Sequence, residues 1–167
     1  MNYIKNSLLI FIVLSLAFVS CDKEEFTINE NEAFANKIGF ISSKTGNFVE
    51  VNKTQLESNW KKIFDLDESV KFNDFRVIKS NYADTNNEYY TLKTISEGGT
   101  ISIATKLTVD QQNQLMILDT KTCKCESVTC SWSGCDASLE NDNCMCSSCT
   151  GDCKKTSTVT NDLTEAF

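Results

Sequence analysis

The sequence predicts an α+β protein in which a small antiparallel meander sheet packs on one helix and is followed by a loop-rich, cysteine-dense C-terminal module. Three observations lead to this prediction. One segment has apolar residues at helical spacing, the segments after it are short apolar stretches separated by turn-forming residues, and eight of the nine cysteines lie in residues 123–153. Only the middle of the chain is therefore expected to bury an ordinary apolar core.

Residues 1–20 have the pattern of a signal peptide. Lys5 supplies one positive charge, and the residues from Ser7 to Val19 carry none. The apolar stretch is shorter than the roughly 20 residues that cross a bilayer as a helix. We therefore predict a signal that is removed, and not a permanent membrane span.

The stretch Leu16-Ala-Phe-Val-Ser-Cys21 resembles the lipobox of bacterial lipoproteins, with Phe18 at a position where leucine is typical. The resemblance implies a type II signal peptide that is cleaved just before Cys21, and a lipid attached to that cysteine. Several acyl chains would hold the protein stably in a membrane. Removing Cys21 from nine cysteines leaves eight, an even number that suits a disulfide framework.

The residues after Cys21 give an expectation for location. Asp22-Lys-Glu-Glu25 resembles the lysine and acidic-pair signal that sends lipoproteins of some bacteria to the cell surface, which implies an outer-membrane protein exposed outside. The alternative is a protein that faces the periplasm, because aspartate directly after a lipidated cysteine resembles an inner-membrane retention signal of enteric bacteria.

A hairpin and a helix are predicted next. Residues 39–51 contain two short apolar runs around the turn-forming residues 44–47. Thr54-Gln-Leu-Glu57 has the pattern of a capping box, so a helix is expected from Thr54 to Phe64. Glu57, Lys61 and Lys62 should face away from its apolar stripe, which consists of Leu56, Trp60, Ile63 and Phe64.

Four strands are predicted after the helix, separated by clusters of turn-forming residues. Three of them mix apolar and polar residues and the fourth is a short apolar run, and the clearest hairpin turns at Glu97-Gly-Gly99. One face of the third strand carries Ile101, Ile103 and Leu107. The predicted strands are residues 72–82, 88–96, 100–108 and 115–118.

Composition divides the chain into five parts. These are a signal peptide (1–20), a lipidated tether (21–35), a small α+β domain (36–122), a cysteine-rich module (123–153) and a polar tail (154–167). Loss of residues 1–20 removes Lys5 and no acid, so the net charge changes from −7 to −8. Because the chain has a single arginine, Arg76, and no basic stripe, nucleic acid is excluded as a partner.

The eight cysteines of the module are Cys123, Cys125, Cys130, Cys135, Cys144, Cys146, Cys149 and Cys153. Export to an oxidising compartment favours four structural disulfides. The pairing stays open because eight cysteines allow 105 connectivities. The two cysteines of each Cys-x-Cys are expected to bond elsewhere.

The alternative is that the same eight cysteines bind a soft metal as thiolates, because Cys-x-Cys and Cys-x-x-Cys bring sulfurs close enough to share zinc or copper. The protein would then capture zinc or copper outside the cell. Against this, the chain has no histidine and exported thiols must escape oxidation. With disulfides, neither a metal nor another cofactor is expected.

An enzymatic role is not expected. Cys146-Ser-Ser-Cys149 is spaced like the active site of disulfide oxidoreductases, but the surrounding residues do not form a βαβ unit and the chain has no proline. The absence of histidine excludes the usual Ser/His/Asp and Cys/His systems. Asp65, Asp67 and Glu68 are interpreted as a solvated surface run. The sequence thus predicts a membrane-anchored binding or interaction module, whose protein or small-molecule partner it does not identify.

Overall fold

The structure is a computed structural model, and it describes residues 26–28, 37–82, 88–110, 115–130, 134–149 and 151–159. For residues 26–28, 73 and 74 it describes the backbone alone. Within these ranges there are one helix and ten strands. They are β1 (Phe26–Ile28), β2 (Lys37–Ile41), β3 (Phe48–Glu50), α1 (Lys53–Phe64), β4 (Phe72–Asn81), β5 (Glu88–Ser96), β6 (Ile101–Asp110), β7 (Leu115–Glu126), β8 (Ala137–Glu140), β9 (Asn143–Cys146) and β10 (Lys154–Val159).

Eight of the strands form one sheet. Seven follow the order β1-β4-β5-β6-β7-β2-β3, and β10 pairs with β7 beyond the end of β2. The predicted meander from β4 to β7 is antiparallel, as expected. The sheet as a whole is mixed, because the β2–β3 hairpin joins it through parallel pairing of β2 with β7. The prediction of one helix on a sheet is thus confirmed, but the purely antiparallel sheet is wrong.

Several elements cross the boundaries predicted from composition. β1 lies inside the segment expected to be a tether and pairs with β4. β7 continues eight residues past its predicted end at residue 118 and through the predicted boundary at 122. β10 occupies the first part of the predicted polar tail, and β8 and β9 form a hairpin inside the cysteine-rich module. The module is therefore less loop-rich than the sequence predicts.

The helix begins at Lys53, one residue before its predicted start at Thr54. Asn52 is its N-cap, and its Oδ1 accepts a hydrogen bond from Gln55 N–H at 2.9 Å. Gln55 Oε1 accepts from Asn52 N–H at 2.9 Å and completes the box. Asparagine is as good an N-cap as threonine, and glutamine serves at N3 as glutamate does. The box predicted at Thr54 and Glu57 is therefore wrong.

The apolar stripe of α1 packs on one face of the sheet, as predicted. Trp60 is at the centre, stacked on Phe75 with 5.7 Å between ring centroids and edge-on to Phe72. The core around it includes Leu56, Phe64, Val77, Leu92, Ile101, Ile103 and Leu107. One expectation fails here. Lys61 does not face solvent but is buried, with Nζ 2.8 Å from Glu57 Oε1 and donating to the Glu68 carbonyl.

The two ends of the sheet differ, and each is named for its residues. The disulfide end holds Phe72, Ser96 and Glu126, and the cysteine loops follow it. The tyrosine end is the opposite one and holds Asn81, Glu88, Asp110, Leu115 and Lys37, with Tyr82 and Tyr89 beside it.

Candidate functional site

Alternation along β7 gives the sheet two different faces. Because successive side chains of a strand point to opposite sides, Thr122 and Lys124 point toward the helix, whereas Cys123 and Cys125 point away from it. Lys124 is buried with its Nζ 5.7 Å from the centroid of the Phe64 ring. We call the side that holds the two cysteines the cysteine face.

All eight cysteines of the module are disulfide-bonded in a regular order. Counted along the module, the first cysteine bonds to the fifth, the second to the sixth, the third to the seventh and the fourth to the eighth. The two cysteines of a pair are 18 to 21 positions apart in the sequence. The predicted disulfide-rich C-terminal region is confirmed, and the two cysteines of each Cys-x-Cys do bond elsewhere. The pairs are Cys123–Cys144, Cys125–Cys146, Cys130–Cys149 and Cys135–Cys153.

Two of the disulfides fasten the β8–β9 hairpin to the cysteine face. Two cysteines lie two positions apart on β7, and two lie two positions apart on β9, so that each pair projects from one side of its strand. Two adjacent disulfides therefore join β7, in the sheet, to β9, in the hairpin that covers it. This buries a second cluster, separate from the core under α1: Ala104, Cys123, Cys125, Cys130, Cys135, Ala137, Leu139 and Cys144.

A polar clamp fixes the entry of the hairpin to the sheet. Asp136, just before β8, accepts a hydrogen bond from Lys93 Nζ on β5 and one from Ser102 Oγ on β6, the latter at 2.7 Å. Ser102 Oγ in turn accepts from Ala137 N–H at 3.0 Å. Each polar atom in this largely buried junction thus has a partner, which is the condition for burying polar groups without loss of stability.

The tip of the hairpin makes a second ionic contact. Asn141 and Asp142 form the turn with φ of 48° and 62°, the left-handed region that these two residue types tolerate best among non-glycine residues. Asp142 Oδ1 accepts from Lys106 Nζ at 2.7 Å, and Lys121 Nζ lies 3.8 Å from Oδ2. The hydrogen bond from Lys106 lowers the pKa of Asp142, and the same bond raises the pKa of Lys106.

The other two disulfides hold the loops at the disulfide end together. Cys130–Cys149 and Cys135–Cys153 tie the described residues 127–130 and 134–136 to residues 147–149 and 151–153. Thr129 Oγ1 donates to Asp152 Oδ1 at 3.0 Å, and a Cβ on Gly151 would lie only 1.9 Å from Thr129 Oγ1. The described parts of the loops therefore pack so closely that a side chain at residue 151 would overlap Thr129.

The pair considered for redox chemistry is not a pair in the structure. Cys146 bonds to Cys125 and Cys149 bonds to Cys130, so the two cysteines of Cys146-Ser-Ser-Cys149 belong to different disulfides. A dithiol oxidoreductase needs them to bond to each other. The described residues around them form a β-hairpin and loops, and none of these residues begins a helix after a strand.

For the metal alternative, three sulfurs come close. Cys125, Cys146 and Cys153 have their Sγ atoms within 4.8 Å of one another. The first two are bonded to each other and the third to Cys135, so none is a thiolate. Because thiolates are what bind soft metals, these residues could bind zinc or copper only after two disulfides are reduced.

The remaining candidates are placed as follows. Asp65 ends α1 in the left-handed conformation, and Asp67 and Glu68 are exposed beside it. Hydrogen bonds from Ser69 lower the pKa of Asp67. They lie on the surface near the disulfide end, as a solvated run should. Cys21, the predicted lipidation site, lies outside the described residues.

Sequence reasoning missed the clamp at Asp136. Its partners Lys93 and Ser102 are 43 and 34 positions away, so no local spacing points to them. The one signal in the sequence is that Lys93 and Ser102 are polar residues within predicted strands, on the side opposite the apolar residues.

Comparisons with known proteins give no family. No protein-family model, curated protein or solved structure matches this chain. Among the residues that the structure describes, no helix is long and apolar enough to span a membrane. In the part of the chain that the structure describes, the protein has a mixed β-sheet, one helix and a disulfide-rich C-terminal region.

Proposed function

We propose that the protein is an exported lipoprotein, anchored through Cys21 and exposed at the cell surface, that presents its disulfide-bonded loops to a protein or small ligand. The observation that carries the proposal is the regular pairing of all eight cysteines after residue 122. Such disulfides persist outside the reducing cytoplasm. The ninth cysteine, Cys21, directly follows a signal-like segment.

The cross-linking of the loops supports a binding role. Binding residues commonly lie on loops that a rigid scaffold positions. Here two disulfides and the Thr129–Asp152 hydrogen bond hold the loops at the disulfide end, and Val128 is 81% exposed among them. Loops that are ordered before binding lose little conformational entropy when a partner binds.

The anchor is tested in a bacterium with an outer membrane, by expressing the full chain and its Cys21→Ala variant. The proposal predicts that the wild-type protein is in the membrane fraction with an acylated N-terminal peptide in mass spectrometry, and that the variant has no acyl group. Cleavage by protease added to intact cells would place it at the surface, and protection until the outer membrane is opened would place it facing the periplasm. An unacylated wild-type chain beginning at another residue would contradict the proposal.

A second candidate is capture of a soft metal, favoured by the three sulfurs of Cys125, Cys146 and Cys153 within 4.8 Å. It requires reduced cysteines, and removal of the metal would then cost folding free energy. Elemental analysis of the protein purified without added reductant separates the two candidates. Zinc or copper at one or more equivalents favours metal capture, and a metal-free protein whose thermal unfolding is unchanged by chelators favours the binding module.

A further inference from the structure

The pairing of β1 with β4 relates the predicted anchor to the sheet. β1 runs antiparallel to β4 with Phe26 opposite Lys79 and Ile28 opposite Val77. The first residue of β1 therefore lies toward Asn81, at the tyrosine end. Cys21 precedes Phe26 by five residues. Whatever path those residues take, they span at most about 18 Å.

This length excludes one orientation of the molecule on a membrane. Lys79 lies seven residues from Phe72 along β4, which at roughly 3.3 Å per residue is about 23 Å. If the protein stood on its disulfide end, Phe26 would be held at about that height above the surface, beyond the reach of the five residues.

The chemistry of the tyrosine end suits the headgroup region of a bilayer. Tyr82 and Tyr89 pack together with 4.7 Å between ring centroids and are both partly exposed. Tyrosine is enriched at this depth because its ring is apolar and its hydroxyl is polar. Lysines here have acidic neighbours, with Lys79 bonded to Glu88 and Lys37 3.9 Å from Glu50. These ion pairs offset the charge of both lysines, so the membrane contact is not argued from attraction to anionic lipid.

We propose that the tyrosine end, with Tyr82 and Tyr89, rests on the lipid headgroups of the membrane that anchors the chain, and that the disulfide end points away from it. This inference rests on the lipid anchor at Cys21 proposed above. The loops held by Cys130–Cys149 and Cys135–Cys153 would then project about 30 Å from the surface, the length of strands of nine or ten residues.

The test uses two matched lysine reporters in the full, lipidated chain. Asn81→Lys places an amine at the tyrosine end, and Gly98→Lys places one at the disulfide end. Both positions are exposed, and a Cβ on Gly98 meets no atom closer than 3.9 Å. Each protein is reconstituted into phosphatidylcholine vesicles, and the rate of acylation by a water-soluble ester is compared by peptide mass spectrometry with that of the same variant starting at Asp22.

We expect the lysine at 81 to react severalfold more slowly on vesicles than in solution, and the lysine at 98 to react at the same rate in both. Protection of the lysine at 98, of both lysines or of neither overturns the proposed orientation. Flotation separates this from failure of the anchor. If the wild-type chain does not float with vesicles, or floats no better than Cys21→Ala, the anchor is wrong and the orientation fails with it.

Discussion

At the scale of residues, two aspartates join the hairpin to the sheet. Asp136 binds Lys93 and Ser102 where the hairpin begins, and Asp142 binds Lys106 at its tip. Both contacts connect elements that are far apart in sequence. The two aspartate contacts therefore determine where the β8–β9 hairpin lies along β5 and β6. The disulfides attach the hairpin covalently to β7.

Replacing Asp136 by alanine should weaken the fold. Lys93 Nζ and Ser102 Oγ would lose their common acceptor in a largely buried place, and we expect a loss of about 1–2 kcal/mol in the free energy of unfolding, since Asp136 is itself partly exposed. Urea denaturation followed by fluorescence measures it. Glu140→Gln, on the same hairpin, serves as control, and an Asp136→Ala loss no larger than that of the control would show that the clamp is not needed.

The contribution of the Asp142–Lys106 contact to the stability of the protein should decline at both low and high pH. The lowered pKa of Asp142 gives stability that is present above the ordinary aspartate value of ~3.9 and is lost as pH falls through the folded value. The raised pKa of Lys106 gives stability that is present below ~10.4 and is lost as pH rises through the folded value. Asp142→Asn, which tolerates the same left-handed φ, should remove both effects.

The measurement is the difference in melting temperature between wild type and Asp142→Asn from pH 2 to 11. We expect a plateau at intermediate pH and a decline toward both ends. A difference that stays constant over the whole range would mean that the ion pair contributes nothing.

The part of the site that depends on local residue patterns could be predicted from the sequence. The part that depends on contacts between distant residues could not. The eight cysteines could be identified from composition, and export made disulfides the favoured state. Their pairing depends on which strands stack, and the clamp joins residues 34 and 43 positions apart. Neither leaves a pattern within one element, so sequence alone could not give them.

At the scale of elements, the first turn of α1 shows how close alternatives compete. Both Asn52 with Gln55 and Thr54 with Glu57 fit the capping-box pattern, and the structure uses the first. Asn52→Ala should therefore cost about 1 kcal/mol in the free energy of unfolding, because one N–H of the first turn loses its acceptor.

Thr54→Ala is the matched control and should change stability by a few tenths of a kcal/mol at most, since Thr54 lies inside the helix and exposed. Thermal or urea unfolding of both variants decides between the two caps. Equal losses, or a larger loss for Thr54→Ala, would contradict the cap at Asn52.

Strand prediction succeeded where one face is apolar and failed where both faces carry other chemistry. The residues from Glu88 to Ser96 place Tyr90 and Leu92 on the side of the apolar core, and β5 has the predicted bounds. The second half of β7 was missed because its helix side carries Thr122 and Lys124 and its other side carries cysteines. Disulfides and a buried lysine replace the apolar residues by which strands are recognised.

At the scale of the whole molecule, the sheet has α1 on one face and the disulfide-bonded hairpin on the other. The cysteine-rich region is therefore not a separate appendage. β7 carries residues of both clusters, and β10 returns to pair with its second half, Lys154 opposite Glu126 and Val159 opposite Lys121. Each disulfide closes a loop of about 20 residues, for which chain entropy contributes about 3 kcal/mol.

The most direct test of the account is the state of the eight cysteines in the exported chain from Asp22, purified without reductant. We expect a denatured mass eight hydrogens below that of the all-thiol chain, no alkylation and no bound metal. Non-reduced peptides should join Cys123 to Cys144, Cys125 to Cys146, Cys130 to Cys149 and Cys135 to Cys153. Thiols that alkylate only after denaturation, together with a native mass that includes zinc or copper, would contradict this expectation.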